Sequence, residues 1–218
     1  MITLLGISLI DFNGYYRLST MLKKLQPQCV GIFETEEEHK EQLSHMSKLF
    51  SAEGRSLIFQ HYLEDHPRSN IETLDRYLSP ASTFYFVNAV EDYCNNYDVP
   101  LLFCGDSGKV KKFDEEYSKN TMDNFNKEMD KLLAMPIGDA LNYVENEYYA
   151  KGQISKFNAI DEYISKSGDR HAEKLLRKSS GNIVYVSPIE SIYGNYKPNL
   201  FDRLLDLRPI RIKLNEKI

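Results

Sequence analysis

Cysteine is scarce. The three present among 218 residues, Cys29, Cys94 and Cys104, are widely spaced and form no CxxC pair, so neither a disulfide framework nor a zinc knuckle is indicated. They read as buried thiols in a reducing compartment. Positive charge is also short: 27 Lys and Arg stand against 32 Asp and Glu, and the net charge of −5 gives no pull toward nucleic acid or anionic lipid. No run of about 18 apolar residues is available to span a bilayer. The opening Met1-Ile-Thr-Leu-Leu-Gly-Ile-Ser8 lacks the basic region and small-residue cleavage site of a secretory signal. The expected location is the cytoplasm, with neither nucleic acid nor membrane as a partner.

The five histidines, His39, His45, His61, His66 and His171, contain no i, i+4 pair that would set two imidazoles on one helix face for a metal. They read as surface or partly buried structural residues. Fifteen tyrosines without a basic face point to core and boundary packing rather than base stacking.

What is present is a chain 42% hydrophobic and 27% charged, the profile of one globular domain. Thr3 to Leu9 reads as a first strand. A helical stripe of Tyr16, Met21, Leu22 and Leu25 follows, and then a buried strand Cys29-Val-Gly-Ile-Phe33. That strand–helix–strand unit predicts a parallel pair with a right-handed crossover. Thr35 and Glu38 form a capping box ahead of a stripe at Leu43, Met46, Leu49 and Phe50.

Short helices are expected between Arg55 and Leu78, and Ser79-Pro80 predicts the start of a helix ending near Asn95. A third strand is expected over Val99 to Cys104, and Ser167-Gly168 should separate one helix from the next. A fourth strand follows over Ile183 to Ser187, and a charged–apolar edge strand over Arg208 to Leu214. The expected fold is one α/β domain over residues 1–218. It has a central, mainly parallel sheet of about five strands flanked by helices, with a helical excursion over about 113–166.

Several motifs fail on their chemistry. Gly105-Asp-Ser-Gly-Lys109 has Phe103 where a P-loop needs its first glycine and Val110 where it needs a hydroxyl. Ser107 as an esterase nucleophile would need a base, and the late His171 lies only two residues from Asp169, so the Asp-x-x-His arrangement is absent. What survives is positional, because open parallel sheets bind ligands outside the carboxyl ends of their strands. The polar residues there are Ser8 and Asp11, Glu34, Asp106 and Ser107, and Ser187 and Glu190. Arg170 and His171 stand on the helix leading into the fourth strand. Carboxylates gathered about an arginine could bind a divalent metal, shift one another's pKa or form a salt-bridge cluster, and each could equally cap a helix.

At these residues the chain resembles the TraB and TIKI superfamily, which includes pheromone-shutdown proteins and, more distantly, erythromycin-esterase and ChaN-like proteins. The resemblance rests on Leu5-Gly-Ile-Ser-Leu-Ile10, Pro27-Gln-Cys-Val-Gly-Ile-Phe-Glu34, Glu91 through Asp106, Asp169-Arg170-His-Ala-Glu-Lys-Leu-Leu176 and Ile183-Val-Tyr-Val-Ser-Pro-Ile-Glu190. It implies metal-dependent hydrolysis of a peptide or ester bond. Glu34, Asp106 and Glu190 would then be metal ligands, Asp106 alternatively the general base, and Arg170 the group facing an oxyanion. Both Gly-x-x-His histidines of the family are replaced, by Leu9 and Glu190, and an oxygen ligand at Glu190 favours Mg or Mn over Zn. The alternative is a degenerate site on a non-catalytic binding or scaffold protein whose partner is a peptide, a protein or a small molecule. A Ser107 esterase is the third reading.

Overall fold

Ile2–Ile7 (β1) is buried along its whole length, as a strand covered on both faces must be. Its side chains alternate between two apolar layers: Leu5 and Ile7 join one, and Ile2 and Leu4 the other. The computed structural model describes residues 1–82, 84–106, 127–150, 159–194 and 197–216. The other strands are Cys29–Ile32 (β2), Leu101–Phe103 (β3), Ile183–Pro188 (β4) and Ile210–Lys213 (β5). All pair in parallel in the order β3-β2-β4-β1-β5, so the fold is the α/β architecture the sequence implies.

One layer carries α1 (Gly14–Leu25), α2 (Glu36–Leu49), α3 (Ala52–Asp65), α4 (Ile71–Tyr77) and α5 (Tyr85–Tyr97). Residues 127–133 (α6), α7 (Ile137–Tyr143) and a π-helical turn, Val144–Ala150, pack into the same core through Met129, Leu132, Leu133, Ala140, Val144 and Tyr149. The opposite layer carries α8 (Ala159–Leu176), α9 (Ile189–Tyr193) and α10 (Leu200–Arg203). The remainder of the expected excursion over about 113–166 lies largely outside the described residues.

Three local expectations are revised. β1 and β2 are parallel and joined by α1, but β4 lies between them, so they are not a directly bonded pair. α8 runs unbroken through Ser167-Gly168, because Gly168 keeps ordinary helical backbone and the left-handed glycine is Gly181 (φ 92°), which turns the chain into β4. Ser79 closes α4, its hydroxyl donating to the Arg76 carbonyl, and α5 starts only at Tyr85. The capping box at Thr35 forms as its spacing requires, with the Glu38 N–H donating to Thr35 Oγ1 at 3.1 Å and Thr35 N–H donating to Glu38 Oε2 at 2.8 Å. β5 takes the edge position.

Gly14 opens α1 directly against Tyr85, and a Cβ there would sit 2.5 Å from three ring atoms of that fully buried side chain. Gly14→Ala is expected to cost about 1–3 kcal/mol by overpacking. Gly138→Ala in α7, where a Cβ meets nothing within 4 Å, should be neutral or stabilising by up to about 1 kcal/mol. Thermal unfolding of the two variants checks the contrast.

Candidate functional site

The chain leaves β1 and β2 into helices of one layer and leaves β4, which lies between them, into α9 of the other. Connections therefore diverge on both flanks of β4, and such divergence opens crevices at the carboxyl ends of a parallel sheet. Two polar clusters stand there.

The first follows β1. Asp11, 1% exposed, accepts from Tyr149 Oη at 2.8 Å and from Arg17 Nη1 at 3.0 Å through one oxygen, and from the Asn13 N–H at 2.9 Å through the other. Arg17 also bridges to Glu145. Tyr85 Oη donates to the Ser8 carbonyl at 2.7 Å, and Lys213 Nζ donates to the Tyr149 carbonyl at 2.6 Å. Burial, reinforced by the nearby Asp11 charge, pushes the phenols of Tyr85 and Tyr149 well above their ordinary range, so both remain hydroxyl donors.

The second follows β2. Glu34, 4% exposed, meets His39 Nδ1 through Oε2 at 3.2 Å, and its Oε1 accepts from the Gln42 amide. The capped start of α2 aims both partners, placing His39 one turn after Thr35 and Gln42 three residues further on. His39 Nε2 meets Glu91 Oε2 of α5 at 3.2 Å, and the Phe103 ring stands edge-on to the imidazole at 5.4 Å. His39 is 2% exposed, and its burial works against the charged ring; hydrogen bonds and charge from Glu34 and Glu91 outweigh that and raise its pKa. The ring thus joins two carboxylates, and both contacts favour its protonated form.

Of the expected site residues, Glu34 and Asp106 are brought to neighbouring strand ends, where the Gly105 N–H donates to the Glu34 carbonyl at 2.9 Å. Glu190 stands in the first turn of α9, at the end of β4, which pairs with β2 on its other side. Arg170 is exposed and lies well down α8, toward the end from which the chain enters β4 at its amino edge. It is not brought to the carboxyl rim. Ser107 lies outside the described residues. Among the described residues no three His, Cys, Asp or Glu side chains converge to hold a metal ion. Both Glu34 oxygens already have protein partners. As placed, Glu34 belongs to a hydrogen-bonded network that runs through His39 to Glu91.

The residues missed in sequence are His39, Gln42 and Glu91. The capping box put His39 on the first turn of α2 beside Glu34, which was a usable signal; the 52-residue separation of Glu91 from His39 left none. Cys94 and Cys104 are buried thiols, pushed up to about 12 chiefly by burial. No helix among the described residues is long and apolar enough to cross a membrane. Comparisons with protein-family models, with curated proteins and with solved structures found no match.

Because the folded-state pKa of His39 lies above its ordinary 6.5, its contribution to stability is fully present below that value. It is lost as pH rises through the folded pKa. Melting temperatures measured across that window should fall for the native chain more than for His39→Gln, which donates to one carboxylate and does not titrate. Parallel curves for the two would exclude the imidazolium bridge.

Proposed function

We propose that the chain is a divergent TraB/TIKI-like α/β domain that binds a peptide, protein or small molecule at its carboxyl edge without hydrolysing it. One observation carries this reading. Glu34, which the resemblance would make a metal ligand, has both oxygens held by His39 and Gln42, and His39 is held in turn by Glu91. A carboxylate so engaged acts as a structural anchor, and freeing it would strip the buried His39 ring of one of its two carboxylate partners.

A second reading, metal-dependent hydrolysis of peptide or ester bonds with Mg or Mn on Glu34, Asp106 and Glu190, draws on strand order. β3 and β4, which lead to Asp106 and Glu190, both pair with β2. It requires Glu34 to exchange its present partners, His39 and Gln42.

The test is the divalent-metal content of protein purified without chelator, followed by melting curves with and without EDTA. The binding reading expects no stoichiometric ion and superimposable curves. About one ion per chain, a lower melting temperature after chelation and loss of both effects in Glu34→Gln would replace it with the hydrolase.

A further inference from the structure

We propose that the outer edge of β5 docks an extended peptide in which acidic and apolar residues alternate, adding a strand to the sheet. This goes beyond the carboxyl-edge reading and rests on other residues. β5 pairs with β1 on one side only, and among the described residues no strand covers the other. Leu214 N–H donates to the Gly6 carbonyl. Strand alternation therefore points the backbone groups of Arg211 and Lys213 outward. The Lys213 carbonyl is taken by the Glu216 N–H, whereas the outward N–H and C=O of Arg211 have no backbone partner among the described residues.

Pro209, Arg211 and Lys213 are the residue types that keep natural edges from pairing indiscriminately, and beside them lies uncovered apolar surface: Leu205, Leu207 and Ile210 are 53%, 42% and 46% exposed. Charge names the occupant. Asp206, the one acid between Leu205 and Lys213, is consumed by Arg177 at 2.8 Å. That leaves Arg208 and Arg211 as the positive charges of this edge on a chain of net charge −5, since Lys213 is turned to the Tyr149 carbonyl and Glu216 lies beyond the strand. The Arg211 guanidinium is held over the rings of Phe201 at 4.3 Å and Tyr193 at 4.9 Å, with no carboxylate partner among the described residues. A guanidinium fixed on aromatic faces keeps its N–H fork for a carboxylate. Because side chains alternate across a strand, Arg211 faces the layer of α9 and α10 while Ile210 faces the opposite one. The incoming strand is therefore acidic on one face and apolar on the other.

The test uses the full chain and two short fluorescein-labelled peptides, one alternating Glu with Val and the other Lys with Val. Saturable, salt-sensitive binding of the Glu–Val peptide alone is expected, with new amide-exchange protection confined to 210–213. Arg211→Glu should weaken that peptide about tenfold or more, the loss of one charge-assisted contact, and should gain the Lys–Val peptide. Arg208→Glu repeats the reversal without touching the Phe201 stack, and thermal unfolding confirms that each variant is folded. Equal binding of both peptides, protection elsewhere, or no binding of the Glu–Val peptide would overturn the proposal. So would a concentration-dependent dimer protected at β5, which would make a second copy the occupant.

Discussion

A carboxylate taken out of water must be met by donors that cannot leave, or it will not stay charged. Asp11 is that carboxylate, and meeting it organises the molecule. Its donors come from the start of α1, from Arg17 one turn on, and from Tyr149 at a separation of 138 residues. Tyr149 in turn is fastened to β5 by Lys213, while Tyr85 fastens α5 to the end of β1. A single buried charge thus joins two strands, two helices and a π-helical turn at one end of the sheet. The π-helical geometry belongs to this arrangement, since it places Tyr148 and Tyr149 both inward, toward Glu128 and Asp11 respectively.

The Glu34–His39–Glu91 bridge repeats the device on the other flank of β4, with one difference. Asp11 is neutralised by an arginine that stays charged at all ordinary pH, whereas Glu34 depends on an imidazole. The two flanks of one strand are therefore held by locks of unequal permanence.

Strand positions and the edge status of β5 were legible in sequence because both follow from short-range pattern: continuous apolar runs for buried strands and charged–apolar alternation at 208–214. The capping box was legible for the same reason. Strand order was not, because nothing in Ile183–Pro188 distinguishes a strand that pairs with β2 alone from one that enters between β2 and β1. Glu34 was readable as a strand-end carboxylate, but its partners were not, since Glu91 enters through the packing of α5 against α2. Gly168 misled because a glycine ends a helix only when it takes left-handed backbone, and here the chain takes that conformation later, at Gly181.

The insertion of β4 between β1 and β2 also sets an order of assembly. β1 and β2 are finished within the first 32 residues, yet neither bonds to the other; the strand that joins them arrives about 150 residues later. Until then a growing chain carries two apolar strands with open inner edges, and its sheet cannot close from the amino end forward. Closure is a long-range event with a large loop entropy. The first half of this protein is thus born dependent on the second, and the interval between them is when it is most exposed to pairing with a neighbour instead of with itself.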